Sequence, residues 1–286
     1  MLVDLLRSRY GIEAGSLTPL SGGEACRVYC IDGSQPLVAR MSPLTVAELA
    51  WTATAADAFG RIIPEVVRPI AALDGALATG VDGDALSVWP YVDGVRLDRE
   101  DPSARDAAAR LLAALHRNCA LIGNAARPPS PPESSLPGDV TDVTDPQLDE
   151  RLRAWRSTGG WPYGGVHGDF FRGNVLCRDG RIVGLIDWDE ARVDYVATEL
   201  AWSVWEFAKA RDGDRLRPDR AADFLRTYRE AGGPAYPADM LGSFIRDRLR
   251  TEIHRSRRAA ALGLPYDRDY EAAEVRAFAT VTDDLS

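Results

Sequence analysis

One segment, residues 166–189, constrains this 286-residue chain more than any other part of its sequence. It reads VHGDFFRGNVLCRDGRIVGLIDWD, with the pair Asp179-Gly180 near its middle. Such a pair suits a two-residue type I′ turn, because both central positions of that turn need positive φ. The residues on either side are typical of strands. The segment therefore predicts a hairpin of 174–178 with 181–186, in the register 178 facing 181, 176 facing 183 and 174 facing 185.

This pairing brings oxygen-bearing side chains to one end of the hairpin. The amide of Asn174 comes close to the carboxylate of Asp187, just past the strand end. Mg²⁺ favours such hard oxygen donors, one or two from protein and the rest from phosphates and water. Asp169 lies on the loop entering the same end, where an aspartate can orient a hydroxyl and accept its proton during phosphoryl transfer. A structural explanation stays open for each half alone, because aspartates after strands also cap turns.

The two halves in this order resemble a known family. His-Gly-Asp, four residues, Asn, and then Ile-Asp-Trp-Asp is similar to the aminoglycoside phosphotransferase and choline kinase superfamily, which includes homoserine-kinase-like enzymes. The resemblance implies a small-molecule kinase with a protein-kinase-like, two-lobed α+β fold. A small mixed α/β lobe over 1–92 would bind the nucleotide. A larger, mainly helical lobe over 93–286 would carry catalysis and bind the acceptor.

The same resemblance implies roles for residues of this segment. Asp169 would be the catalytic base, Asn174 and Asp187 would hold Mg²⁺, and His167 would support the loop. Protein kinases carry an arginine before the catalytic aspartate, whereas Gly168 stands there in this chain. Without that guanidinium to receive a phosphate, activation by phosphorylation and a protein substrate are not expected, and the site should be assembled at all times.

The first lobe of such a kinase must hold a nucleoside triphosphate, either ATP or GTP. Serine and glycine before the first hairpin can offer a hydroxyl and backbone N–H groups to phosphate oxygens. Arg40 stands on a predicted strand where kinases usually carry lysine, and Glu48 on the following helix is expected to pair with it. The linker around Pro90 is expected to contact the nucleobase, although Pro90 itself has no backbone N–H. The candidate nucleotide contacts are Ser21, Gly22, Gly23, Arg40, Glu48, Trp89, Tyr91 and Val92.

The acceptor is expected to be a small hydroxyl compound that carries an amine, such as an aminoglycoside, homoserine or a choline-like alcohol. The helix after Asp187 has aromatic side chains that either pack in the core or line an acceptor pocket, and core packing is the favoured interpretation. Candidate acceptor contacts are Asp189, Glu199, Trp202 and Glu206. Two other hypotheses remain: a non-catalytic nucleotide-binding module with a kinase-like fold, and an acidic helical binding protein whose motif is accidental.

Composition narrows the partners. The net charge of -9 argues against a nucleic-acid partner. No window approaches the roughly 18 apolar residues of a membrane span, so a cytoplasmic location without a membrane partner is expected. The four cysteines lack zinc-type spacing and are expected to be reduced thiols. Oligomeric state is not indicated.

The hydrophobic pattern predicts the remaining elements. These are a strand hairpin at 26–31 and 35–41, a helix at 44–59, a strand at 85–91, a helix from 101 or 103 to 116, an exposed proline-rich loop at 127–137, a helix at 146–157, and helices after 195 with breaks near 232–234 and 263.

Overall fold

The computed structural model describes residues 2–20, 26–33, 35–123, 127–128 and 141–283. Its helices are α1 (Leu2–Leu5), α2 (Val46–Gly60), α3 (Pro102–Arg117), α4 (Pro146–Thr158), α5 (Val196–Ala208), α6 (Pro218–Glu230), α7 (Leu241–Ala261) and α8 (Arg268–Thr280). Its strands are β1 (Leu17–Pro19), β2 (Arg27–Ile31), β3 (Leu37–Ser42), β4 (Thr79–Val81), β5 (Asp84–Pro90), β6 (Val95–Arg96), β7 (Tyr163–Val166), β8 (Val175–Arg178), β9 (Arg181–Leu185) and β10 (Arg192–Tyr195).

The first lobe is built on a five-stranded antiparallel sheet in the order β1-β2-β3-β5-β4. The predicted first hairpin is confirmed, because β2 pairs with β3 along its whole length. Side chains alternate along β3, so Ala39 and Met41 enter the core of this sheet. Arg40 and Ser42 share the other face. That face meets the loop after β9, so β3 delivers two polar side chains to the second lobe.

Helix α2 begins with a capping box, which sets its start two residues later than predicted. The backbone N–H of Glu48 donates to Thr45 Oγ1 at 3.2 Å, and the backbone N–H of Thr45 donates to the Glu48 carboxylate at 3.0 Å. At the other end of the helix, Phe59 packs on Trp188 with ring centroids 5.4 Å apart. Because Trp188 belongs to the second lobe, α2 fastens the two lobes together.

Helix α5 is the centre of the second lobe. Twelve of its thirteen residues are buried, and it packs against α6, α7 and β7. A helix buried on all sides normally has an apolar surface throughout. Here it also carries Glu199 and Glu206 into the interior, so each carboxylate needs a partner there.

The hairpin of β8 and β9 forms as predicted, with left-handed φ values of 51° at Asp179 and 72° at Gly180. The predicted register is wrong beyond the first two pairs. A β-bulge adds one residue to β9, so that Leu176 lies opposite Gly184 and not opposite residue 183. As a result, the N–H of Ile186 donates to the carbonyl oxygen of Asn174 at 3.0 Å.

Other predictions are tested by the described residues to different degrees. The predicted helices correspond to α2, α3, α4 and α5–α8, and the strand at 85–91 corresponds to β5. The loop predicted at 127–137 lies outside the described residues except for Arg127 and Pro128. All four cysteines are free thiols. Across the described ranges, the helices are too short or too polar to cross a membrane.

The packing of α8 makes a testable prediction about stability and pH. Glu274 is 1% exposed. Burial, and after it the charge of Glu252, raises the pKa of Glu274 to about 8. Between about pH 4.5 and pH 8, the carboxyl group of Glu274 is therefore protonated in the folded protein and ionised in the unfolded chain. This contribution to stability is fully present below the unfolded pKa and is lost as pH rises through about 8.

Glu274→Gln is expected to remove this pH dependence, because the amide stays neutral. At pH 8.5 the free energy of unfolding should exceed that of the wild type by at least about 1 kcal/mol, with no such gain at pH 5. Urea unfolding at both pH values measures this. Glu271→Gln is the matched control on the same helix, because Glu271 lies 2.8 Å from Arg257 Nε in an ion pair. An equal gain in both variants would contradict the assignment.

Candidate active site

The loop from His167 to Asn174 joins β7 to β8, and the side chain of His167 stabilises it. His167 Nε2 donates to the carbonyl oxygen of Ile186 at 3.0 Å, and its Nδ1 accepts from the N–H of Asp169 at 3.3 Å. Burial lowers the pKa of His167, so the ring is neutral with its proton on Nε2. These contacts fit the supporting role implied for it.

A buried carboxylate holds the same loop from the side of α5. The two oxygens of Glu199 accept from the N–H groups of His167 and Gly168. Its Oε2 also lies 2.9 Å from His116 Nε2, and His116 Nδ1 lies 2.8 Å from the hydroxyl of Tyr228. Although burial opposes it, the hydrogen bond from His116 holds the pKa of Glu199 below its ordinary value. Glu199 is thus a structural anchor, which corrects its candidacy as an acceptor contact.

Asp169 and Asn174 lie side by side in this loop. Asn174 Nδ2 donates both to the carbonyl oxygen of Asp169, at 2.9 Å, and to its Oδ2, at 3.0 Å. The amide nitrogen is therefore occupied, and the amide oxygen is presented to other partners. Burial, and then the charge of Glu190, raises the pKa of Asp169 to about 7. This carboxylate is more basic than an ordinary aspartate.

Arg248 of α7 is a site residue that sequence reasoning missed. Its Nη2 lies 4.0 Å from Asp169 Oδ1 and 3.0 Å from Glu190 Oε2, and its Nε lies 2.8 Å from Glu252 Oε1. The guanidinium also lies 5.1 Å from the ring centre of Trp202. The arginine-rich stretch 245–258 looks like an ordinary solvated helix face in the sequence. Nothing local marks Arg248, because it is 79 residues beyond its partner Asp169.

Asp187 and Asp189 follow β9 and meet the polar face of β3. Arg40 Nη2 donates to Asp187 Oδ1 at 2.7 Å, and Arg40 Nη1 donates to Asp189 Oδ1. Ser42 donates to Asp189 Oδ2 at 2.8 Å. Asp187 has φ of 64°, a left-handed value that non-glycine residues hold at some cost and that is concentrated at functional sites.

The expected pairing of Arg40 with Glu48 is wrong. Glu48 accepts from the Thr45 hydroxyl at 2.7 Å and lies 3.6 Å from Arg127 Nη2. The capping box turns its carboxylate toward the start of α2, whereas Arg40 points to the loop after β9. Asp189 was also a candidate contact for the acceptor. The structure corrects this assignment, because both oxygens of Asp189 are bonded to side chains of β3.

The other predicted contacts lie in different surroundings in the structure. Trp202 and Glu206 are 6% and 4% exposed, and Glu206 pairs with Lys209. Both therefore belong to the core, and for Trp202 this is the favoured interpretation. Trp89 donates through Nε1 to Ser87, and the N–H of Tyr91 donates to the carbonyl oxygen of Pro36 at 3.0 Å. The predicted contacts at Ser21, Gly22 and Gly23 lie outside the described residues.

The donors present fit a small, hard cation. Asn174 offers an amide oxygen, Asp187 a carboxylate that is 38% exposed, and the bond from Ile186 N to Asn174 O ties their backbones together. Within the described ranges, His, Cys, Asp and Glu side chains form no metal-type cluster of three or more. A two-ligand set of this kind suits Mg²⁺ that takes its remaining ligands from phosphates and water.

The sequence of this chain is similar to those of known proteins. A family model described as "Phosphotransferase enzyme family" matches residues 16–238. The homoserine kinase of Gluconobacter oxydans is 33% identical over 101 residues, which is 32% of this chain and 31% of that protein. The homoserine kinase of Gluconacetobacter diazotrophicus is 32% identical over 149 residues, which is 47% of this chain and 46% of that protein. The chain thus spans from about a third to about half of the length of these relatives.

A solved structure extends the likeness to the whole fold. Amicoumacin kinase, in complex with AMP-PNP, Ca²⁺ and Ami, matches with a TM-score of 0.72 at 14% identity, covering 100% of this chain and 93% of that one. At this identity the likeness concerns the architecture, which is two-lobed and kinase-like, as the sequence predicts.

Gly168 makes a testable prediction about how the loop is held. Its φ is 88°, and an added Cβ would collide with the carbonyl oxygen of Glu190. Gly180 has a similar φ of 72°, but an added Cβ there meets no described atom within 4 Å. Gly180→Ala should cost about 1–2 kcal/mol from the left-handed backbone alone.

Gly168→Ala adds the collision to the same backbone cost. Its free energy of unfolding is expected to fall at least about 2 kcal/mol further than that of Gly180→Ala. Urea unfolding of the two variants measures the difference. Equal losses would mean that the loop has room to move away from Glu190.

Proposed function

The chain belongs to the phosphotransferase enzyme family, and from this premise we propose that it is a small-molecule kinase, which transfers the γ-phosphate of ATP or GTP to a hydroxyl of a small, amine-bearing acceptor. The observation that carries the proposal is the arrangement of Asp169, Asn174 and Asp187 around one end of the hairpin of β8 and β9.

Asp169 is the proposed general base. Phosphoryl transfer needs a group that orients the acceptor hydroxyl and takes its proton as the new P–O bond forms and the bond to the leaving diphosphate breaks. A base works best with a pKa near the working pH, and burial raises the pKa of Asp169 to about 7. Asn174 fixes its carboxylate by the 3.0 Å bond to Oδ2.

Asn174 and Asp187 are the proposed Mg²⁺ ligands. Bound Mg²⁺ would offset the negative charge that develops on the transferring phosphoryl group. The presence of a divalent cation with a triphosphate analogue in the amicoumacin kinase complex supports this part of the proposal. The amide oxygen of Asn174 is available for it, because both of the hydrogen bonds described for that side chain use its nitrogen.

The contacts proposed for the nucleotide itself come from the first lobe. Arg40 supplies the positive charge for the phosphates, and Ser21, Gly22 and Gly23 remain the candidates that the sequence offers for backbone N–H contacts. For the contact with the nucleobase, the backbone N–H of Val92 is favoured over that of Tyr91, since the N–H of Tyr91 already donates to the carbonyl oxygen of Pro36. We propose that the lobes meet near residue 93, and the pairing of β5 with β3 and of β6 with β8 supports this boundary.

The amine on the acceptor is proposed from charge. Burial raises the pKa of Asp169, and the carboxylates of Glu190, Asp187 and Glu252 raise it further, whereas Arg248 lowers it. Three carboxylates against one guanidinium are proposed to give the site a negative potential. Such a potential attracts ammonium groups. Homoserine carries such a group, and homoserine kinases occur among the similar proteins.

Asp169→Asn tests the role of the base. Transfer should fall by about two to four orders of magnitude, because the amide cannot accept the proton, while nucleotide binding is retained. The measurement is nucleotide consumption with Mg²⁺, ATP or GTP, and a panel of homoserine, choline-like alcohols, aminoglycosides and other amine-bearing antibiotics.

The control is Asp74→Asn, a carboxylate in an exposed ion pair with Arg9 on the first lobe. This variant should retain wild-type turnover. Near-normal turnover by Asp169→Asn would remove that residue from the mechanism. Tight nucleotide binding by the wild type with no stimulation by any acceptor would favour the non-catalytic module.

A further inference from the structure

The guanidinium of Arg40 is shared between two carboxylates. Nη2 bonds to Asp187 at 2.7 Å and Nη1 to Asp189, and the arginine side chain is only 13% exposed. A buried charge must keep a partner. With two carboxylates on one guanidinium, either one can be released without leaving the arginine unpaired.

The two carboxylates are held differently. Asp189 is 18% exposed, and both of its oxygens are bonded to β3, one to Arg40 and the other to Ser42 at 2.8 Å. Asp187 is 38% exposed and meets Arg40 through a single oxygen. Asp189 is thus the fixed partner of the arginine, and Asp187 is the exchangeable one.

The carboxylate of Glu48 contacts groups other than Arg40. It is 1% exposed, and its Oε2 accepts from the N–H and the hydroxyl of Thr45 at 3.0 and 2.7 Å. Its Oε1 faces Arg127, whose Nη1 donates to the carbonyl oxygen of Asp189 at 2.7 Å. Glu48 therefore acts on the start of α2 and, through Arg127, on the backbone of the loop after β9.

We propose that Asp189 is the positioning residue for Arg40. It holds one edge of the guanidinium when a nucleoside triphosphate binds, so that the remaining N–H groups meet phosphate oxygens and Asp187 is released from the arginine. This inference rests on the proposed function. It gives Asp189 the task that the family resemblance assigns to Glu48.

The test compares a triphosphate with its own nucleoside. Asp189→Asn keeps the size of the side chain and an oxygen for Ser42, but it removes the charge that faces Arg40. By calorimetry without any acceptor, the variant should bind the Mg²⁺ complex of ATP or GTP at least about tenfold more weakly than the wild type does. Binding of adenosine or guanosine should stay within about twofold, because a nucleoside has no phosphate for Arg40 to meet.

A double-mutant cycle identifies the partner of Arg40. Arg40→Gln and Asp189→Asn should not be additive, and the double variant should bind triphosphate within about twofold of Arg40→Gln alone. Arg40→Gln and Glu48→Gln should have independent effects that multiply. Circular dichroism and thermal unfolding confirm that each variant is folded.

Three results would overturn the inference. They are an unchanged triphosphate affinity in Asp189→Asn, an equal loss of nucleoside affinity, and coupling of Arg40 to Glu48 in place of Asp189. A wild type that binds triphosphate and shows the expected cycle, yet phosphorylates no acceptor, would contradict the proposed function alone, because all these constants are measured without an acceptor. A wild type that binds no triphosphate would overturn both.

Discussion

The carboxylate of Glu199 is the contact on which the geometry of the site depends. It is buried in the middle of α5 and accepts from two consecutive backbone N–H groups, those of His167 and Gly168, as well as from His116. A buried charge is stable when several donors converge on it. Because α5 is packed on all sides, the loop that carries Asp169 is attached to the most deeply buried helix of the second lobe. The aspartate is therefore fixed by the core and not by the surface.

Around that fixed point, arginines of distant elements balance the carboxylates. Arg248 reaches the loop from α7 and is held by Glu190 and Glu252, so that it lies beside Asp169 without forming a close pair with it. A close guanidinium would hold the pKa of Asp169 low. At 4.0 Å, with two glutamates sharing its charge, Arg248 opposes burial only in part. The structure thus keeps a basic carboxylate in an otherwise paired network of charges.

The sequence predicts contacts between residues that are close along the chain, and it does not predict contacts between distant ones. The turn at Asp179-Gly180 and the loop around Asp169 follow local rules, and both were predicted. The bulge on β9 was not, because a single extra residue leaves no mark in an alternating pattern. Arg40 and Asp189 are 149 residues apart, whereas the kinase pattern pointed to Glu48, a carboxylate on the next helix and only eight residues from Arg40. Contacts between lobes depend on how the lobes pack, which no local pattern contains.

Arginine in the place of the usual lysine accounts for the unusual pairing on β3. A lysine ammonium is a point charge on a flexible stem, and one carboxylate is enough to hold it. A guanidinium is planar and offers five N–H donors in fixed directions, so it can bond two acceptors that lie side by side. Asp187 and Asp189 provide such a pair, because alternate residues after β9 both reach Arg40. With the arginine held from the second lobe, Glu48 caps α2 and meets Arg127. The choice of cation on one strand therefore changes which carboxylates connect the two lobes.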